Sequence, residues 1–551
     1  MSMNRYWIVI SSISIVVAAP AVTVHAQDGQ PDRFFSDKVT EAEAEGEAPS
    51  ETVFQGSLTS STFFYTESGD TITDAAGVPL TNNASPASRL YTDLRAQVDA
   101  RYLGGSSWNA RADARARLST DCTFNSLGTG PTDCRNQSGL YGDNEYDVRE
   151  LYIRRAGESF DVQLGRQYVL ELAATKIDGL RLQYQTSEKL AFLGFAGLYP
   201  ARGSRSLTED YPTQTLAGGV MGDRVLPVAG GFGASYRLRN MYGSVGGVGI
   251  LPMAKQVNLG GIVGDEPLRL FATSNGYWRQ SSTLDFYHFA ILDVTGSNGT
   301  SLTNLSAGIN YRPSQTMRIS ASINHVDTET LNVIAQNRLE DAGANLTPVQ
   351  NNVEVLRIAS QSARVGVSSS FREQRFEVSV AGQLRRRPDI TLNNAAAPVT
   401  INSARAGEIM LSVLDRRSVA NFRLGASLLS IFSLGGTTYA NNQSALLRLH
   451  GSHEFKQGLG EYEAEVNYLF GKDTDANVNV LCAAANTCFG TSNVGTLSVG
   501  GSVYYRFSLD WLAMANASVA RQAFSTLQAG ANVAQPANLL VSGFLRIAYR
   551  F

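Results

Sequence analysis

Residues 108–118 read WNARADARARL. Asn109, Arg111, Asp113, Arg115 and Arg117 fall at every second position, with Ala110, Ala112, Ala114 and Ala116 between them. The preceding run, RLYTDLRAQVDARY over 89–102, repeats the pattern. Arg89, Asp93, Arg95, Gln97, Asp99 and Arg101 share one parity, and Leu94, Ala96, Val98 and Tyr102 share the other. A period of two is the signature of a strand with one polar and one apolar face. Guanidinium groups keep their charge and offer a planar fork of donors suited to carboxylates and phosphates. Two chemistries fit such a ladder: recognition of a passing anion, or bracing of the wall by Arg–Asp pairs. The basic set leans toward Arg throughout, since only Lys38, Lys176, Lys189, Lys255, Lys456 and Lys472 are lysines among 46 basic residues.

Covalent chemistry has no comparable signal, and we expect no enzyme, cofactor or metal site. His288, His325, His450 and His453 are the histidines outside the N-terminal segment. His450 and His453 lie three apart, hence on opposite faces of a strand. No Gly-x-Ser-x-Gly elbow, phosphate loop or His-Glu-x-x-His run appears. A net charge of -3 gives no global attraction to nucleic acid. Cys122 and Cys134 share one expected loop and Cys482 and Cys488 another. In an exported chain these read as two local disulfides.

The elements that would position the ladder follow from the rest of the chain. Residues 1–26 have the form of a signal peptide: a short basic start, an apolar stretch, and Val24-His25-Ala26 before the expected cleavage point. Residues 27–52 are polar and acidic, and we read them as a flexible periplasmic leader too short for a plug domain. Residues 53–551 contain no later apolar run long enough for a helical span. They alternate instead, in 22 period-two segments of about ten residues each. Tight connections such as 104–106, 156–158 and 312–314 interleave with long ones such as 66–86, 119–143, 200–226, 328–361 and 471–492. Sorting by length predicts one antiparallel transmembrane β-barrel, 22 strands with 18 to 24 allowed, with short periplasmic turns and long extracellular loops. The C-terminal FLRIAYRF places Leu545, Ile547, Tyr549 and Phe551 on one face. A terminal Phe with Tyr two residues earlier resembles the assembly signal of Gram-negative outer-membrane barrels, read by the insertion machinery through strand addition.

With a barrel in hand, Arg89, Asp93, Arg95, Asp99, Arg101, Arg111, Asp113, Arg115 and Arg117 become candidate pore-lining residues. Arg181, Arg318, Arg364 and Arg385 share the inferred lumen parity, as do Arg269, Arg423, Arg448 and Arg546. The acidic candidates are Asp93, Asp99, Asp113, Glu377, Glu454, Glu463 and Glu465, which gives Arg roughly a two-to-one excess on these registers.

Residues 148–198 carry a family resemblance. VRELYIRR, FDVQLGRQY, KIDGLRLQY and LAFLGFAGLYP supply Arg149, Glu150, Tyr152, Gly165, Arg166, Gln167, Asp178, Gly179 and Arg181. In that order they resemble the alginate-export family of outer-membrane barrels. The resemblance implies an Arg-lined pore for an anionic uronate polymer and a periplasmic polysaccharide-export partner. That family has eighteen strands, fewer than this pattern predicts. The expected function is passage of an anionic solute or acidic polysaccharide, the pore being narrowed by a long loop folding inward. A diffusion porin for small nutrients and a surface-structural or adhesion barrel are the alternatives. Outer-membrane lipid surrounds all three.

Overall fold

A computed structural model describes residues 51–551, apart from 69–87, 127–129, 134–144, 158, 201–210, 212, 216–220, 254, 259–260, 266, 296–299, 328–358, 389, 393–398, 402, 420–421, 435–441, 474–489 and 529–530. The expected signal peptide and nearly all of the acidic leader lie outside the described residues. The chain forms one dominant sheet of 24 strands, of which Gly130–Asp133 and Ala531–Ala534 are short outgrowths; the remaining 22 make the wall.

The wall begins with β1 (Val53–Ser68), β2 (Ser88–Arg101), β3 (Trp108–Ser126), β4 (Glu145–Arg155) and β5 (Phe160–Val169). It continues through β6 (Thr175–Ser187), β7 (Leu190–Leu198), β8 (Val228–Arg237), β9 (Met241–Leu251) and β10 (Arg269–Arg279). Next come β11 (Leu284–Asp293), β12 (Ser301–Tyr311), β13 (Met317–Asp327), β14 (Ala359–Phe371), β15 (Phe376–Arg387) and β16 (Ala404–Val419). The circuit ends with β17 (Phe422–Ser433), β18 (Asn442–Phe455), β19 (Gly460–Asp473), β20 (Gly490–Arg506), β21 (Trp511–Gln528) and β22 (Asn538–Arg550). Each strand pairs antiparallel with its sequence neighbours, and β1 pairs with β22 from Ser57↔Arg550 to Ser68↔Leu539. The sheet is therefore closed and has no free edge, the only sheet form that survives in lipid. The strands over 401–433 stay separate, as β16 and β17, so the wall has 22 strands rather than eighteen.

The two faces sort as the alternation requires. Leu94, Leu151, Phe232, Val365, Leu384, Leu411, Tyr468 and Val499 are exposed on the outer face. The ion pairs gather on the other face, across neighbouring strands. Aromatic side chains collect at the periplasmic strand ends. Trp278 stacks on Phe286 at 5.3 Å, Phe455 on Tyr505 at 5.8 Å, and Trp511 packs on Tyr549 at 4.7 Å. Amphipathic rings at headgroup depth form such a belt in transmembrane barrels. A closed antiparallel wall with this outer band is an outer-membrane β-barrel of the Gram-negative type. The seam closes tightly: Gly56 N donates to Phe551 O at 3.0 Å and Phe551 N to Gly56 O at 3.2 Å. A side chain at 56 would sit 2.5 Å from the Phe551 ring, so only Gly leaves the slot open.

Candidate functional site

The ladder on β2 and β3 is a paired structure. Register sets Asp99 opposite Arg111, Gln97 opposite Asp113, Arg95 opposite Arg115 and Asp93 opposite Arg117. Arg95 forks onto Asp113 through Nε and Nη2 at 2.9 and 2.6 Å, and Gln97 Nε2 adds a third donor at 3.1 Å. Arg111 bridges Asp99 at 3.2 Å and Glu150 on β4 at 2.6 Å. Arg117 grips Asp93 at 2.8 Å and lies over the Tyr91 ring at 4.5 Å. Arg115 stands in register with Asp147 on β4. Arg89 lies 5.7 Å from the Tyr91 ring, and Arg101 sits at the periplasmic end of β2. Farther round the same inner face, Arg318 donates to Asn310 at 3.1 Å and Arg385 pairs with Glu408 at 2.7 Å. Arg364 stands opposite Ser322.

Several carboxylates on this face were missed in the sequence. Asp147, Glu150, Glu408 and Glu461 all meet Arg or Lys partners there. On β4 the parity was hidden by a bulge: the register shifts between Asp113 and Ala114, so Arg149 and Glu150 break the alternation. The apparent two-to-one Arg excess shrinks accordingly. On β18 and β19 it reverses, with Arg448 between Glu463 and Glu465 at 2.8 and 2.7 Å and Arg423 held by Glu454 and Glu461.

The element that enters the lumen is a short hairpin. β5 pairs with β6 over its full length, from Phe160↔Tyr184 to Val169↔Thr175. Its ladder with β4 stops at Leu151↔Arg166, although β4 continues against β3 up to Glu145. The ladder of β6 with β7 stops at Asp178↔Leu198. Above these points residues 167–177 leave the wall. The bend follows a row of glycines in register across three strands, Gly165↔Gly179↔Gly197. Gly165 has φ +129°, and a Cβ there would lie 2.2 Å from Leu151 O. A Cβ at Gly179 would lie 2.2 Å from Ala196 O. Only Gly permits backbones this close in that conformation. Just above the crease Arg166 forks onto Asp178 at 2.6 and 2.5 Å and donates to Val148 O at 3.1 Å. The Tyr211 hydroxyl adds a 2.5 Å bond to Asp178.

The tip, residues 170–174, lies along the inner wall as far as β9 and β10. Glu171 O accepts from Ser244 Oγ on β9 at 2.6 Å and from Asn275 Nδ2 on β10 at 3.4 Å. Leu172 is fully buried, its Cδ2 lying where a Cβ at Gly233 or Gly246 would be, at 2.7 and 2.4 Å. These two glycines face each other across β8 and β9 and form a socket for one leucine. Around it Val169 and Ile177 of the hairpin pack on Leu193, Phe195, Val248, Ile250 and Phe271 of the wall. The inner wall can be apolar here because the hairpin covers it. The other side of the hairpin faces β3 and β4: Lys176 is buried 3.9 Å from Asp147 and lies 5.7 Å from the Tyr168 ring. Arg181 braces Glu171 at 2.7 Å. Among the described residues this hairpin is the element that enters the lumen, whereas the long loops expected to fold inward lie largely outside them. The motif of the family resemblance falls on it: Gly165 and Gly179 are the crease, Arg166 and Asp178 the clamp, and Gln167 is buried beside them. The alginate-export resemblance extends no further than this segment.

Tyr549 and Phe551 stand together at the seam, ring centroids 6.0 Å apart. Cys134, Cys482 and Cys488 lie outside the described residues, as does the Cys122 side chain, and with them both expected disulfides. His453 stacks on Phe422 at 4.7 Å on the outer face, opposite in parity to His450.

No family model matches the chain, and no curated protein matches it. Solved structures similar in outline include a BenF-like porin from Pseudomonas fluorescens Pf-5, with TM-score 0.37 and 11% identity over 91% of this chain and 100% of that one. Pseudomonas aeruginosa OpdQ gives 0.36 and 9% over 90% and 97%. A bacterial polysaccharide outer membrane secretin gives 0.30 and 10% over 66% and 98%. At such scores these likenesses carry no argument, and the barrel assignment stands on the strand pairing.

Proposed function

We propose that the protein is a passive outer-membrane channel for small polar solutes, with selectivity set where the in-folded hairpin faces the inner side of β2–β4. One observation carries this reading: residues 167–177 leave the wall and lie along its inner face from β5 and β6 to β9 and β10, with their other side turned to β4. A hairpin fixed at base and tip inside the lumen suits a channel's constriction better than a purely structural wall. Arg89, Arg95, Arg101, Arg111, Arg115 and Arg117 bias the β2–β3 side toward carboxylates, with Asp113, Asp99 and Asp93 holding the planes of Arg95, Arg111 and Arg117 in place. Arg181, Arg318, Arg364 and Arg385 would act farther round the pore. A solute anion has to compete with wall carboxylates already bound, so the preference is mild. Acidic polymer export draws less support, because carboxylates alternate with the guanidinium groups and Glu463 and Glu465 add an acidic wall.

Reconstitution of the mature chain in a planar bilayer tests the reading. Under a salt gradient the reversal potential should show modest anion preference, and replacing 167–177 by a tight turn should raise conductance about two- to threefold while weakening that preference. An unselective conductance unchanged by the replacement would overturn it.

A further inference from the structure

The membrane-facing surface carries a polar cluster that the channel does not use. A groove of about 650 Å³ runs along the outer face, lined by Tyr236, Met241, Gly276, His288, Ala307 and Ile323 among others. Ser274 Oγ lies 2.9 Å from His288 Nε2. A Cβ on Gly276 would be 2.7 Å from His288 Cε1, 3.3 Å from His288 Nδ1 and 3.1 Å from the Tyr236 hydroxyl. The imidazole and the phenol therefore lie side by side over one glycine. In the tautomer where Ser274 donates to Nε2, His288 Nδ1 carries a proton. Neither Nδ1–H nor the Tyr236 hydroxyl has a protein partner among the described residues.

Two unpaired polar groups at an apolar, lipid-covered surface are costly unless something bonds to them, and an acceptor oxygen suits the phenol together with that tautomer. Depth indicates what that is. Trp278 and Phe286 of the aromatic belt lie two residues nearer the periplasm than Gly276 and His288 on the same strands. Two residues are about 7 Å along a strand, which sets the donors just inside the headgroup level, at the glycerol-ester region. A Ser–His pair at 2.9 Å also has the spacing of a nucleophile and base. Among the described residues, however, no carboxylate orients His288 and no pair of backbone N–H groups faces Ser274 as an oxyanion site, so the cluster binds rather than cleaves.

We propose that this groove holds one phospholipid of the periplasmic leaflet, an acyl chain along Ala307 and Ile323 and an ester or phosphate oxygen accepting from His288 and Tyr236. A second outer-face groove of about 610 Å³, over Gly230, Gly247, Gly249 and Leu270, contains no polar side chain and serves as an internal control.

The test is native mass spectrometry of the full protein extracted from membranes in mild detergent, with a phosphate assay on the same sample. The wild type should retain one phospholipid per chain. His288→Leu combined with Tyr236→Phe should cut retention about tenfold, the order expected from two hydrogen bonds in a low-dielectric site. Tyr236→Phe alone, which keeps the ring and the fold, should give an intermediate loss, and Leu270→Ala in the second groove should give none. Equal retention in wild type and double variant overturns the proposal. So does loss of an oligomer band rather than of lipid, since the face would then be a contact between copies of the chain.

Discussion

Two stretches of the inner wall solve one problem in opposite ways. Across β2–β4 the wall carries a lattice of Arg–carboxylate forks, with Asp113, Asp147 and Arg117 buried within it and Arg95 and Arg111 about one-third exposed. Across β7–β10 it carries Leu193, Phe195, Val248, Ile250 and Phe271, buried as in the core of a soluble domain. The difference is the hairpin. Where it lies on the wall, apolar side chains are stabilised by burial, about 1.5–3 kcal/mol for each large one. Where it does not, each inward side chain must meet water or a charge partner. An apolar stretch of inner wall thus marks an element laid over it, whereas a charged stretch needs a partner for each charge, as Lys176 finds in Asp147.

Substitutions that attack the covered sector should have the largest effects. Gly165→Val combines a disfavoured φ with a 2.2 Å approach to Leu151 O. It should prevent the crease and give little folded barrel, seen as loss of the heat-modifiable band on a gel. Normal assembly with wild-type conductance would show that the crease does not hold the hairpin. Leu172→Ala empties the glycine socket and should weaken hairpin docking by about 2–4 kcal/mol. The barrel should survive, with channel recordings showing frequent excursions to a higher conductance; a quiet trace at the wild-type level would mean that the tip is held by other contacts.

The charged sector should respond more gently. Arg111→Ala leaves Asp99 and Glu150 without their shared partner, and Arg448→Ala does the same to Glu463 and Glu465. These groups are part-exposed, so each change should be worth about 1 kcal/mol or less in stability. Both should move the reversal potential toward cations. The Arg111 shift should be the larger, because its pairs lie on the side the hairpin faces; equal shifts would move the selective point away from that side. The smallest effect is expected at Gly382, where an added Cβ meets nothing within 4 Å. Gly382→Ala should alter melting and conductance by less than about 0.5 kcal/mol in equivalent terms.

Much of the barrel was legible because period two is local. The face of Arg111 follows from Ala110 and Ala112 beside it, and the strand count follows from the rhythm of turns. The ladder's partners were half legible: Asp93, Asp99 and Asp113 share its parity, whereas Glu150 was hidden by the bulge at Arg149. The hairpin was not legible as an inward element. Its crease needs Gly165, Gly179 and Gly197 side by side, and their spacings in the chain mean nothing until the registers of β5, β6 and β7 are known. The leucine socket is more distant still, since Gly233 and Gly246 meet Leu172 only after the chain has gone round several strands. The one sequence signal was the cluster of Gly165, Arg166, Asp178 and Gly179, noticed as a resemblance rather than as a fold in the sheet.

Because the crease confines the bend to one row of glycines, the eleven positions from Gln167 to Ile177 form a cassette. Its length and side chains can change while every wall strand keeps its register. Aperture and scaffold are then inherited separately: a lineage could retune what passes by editing this one turn of chain, and an engineer could do the same by grafting.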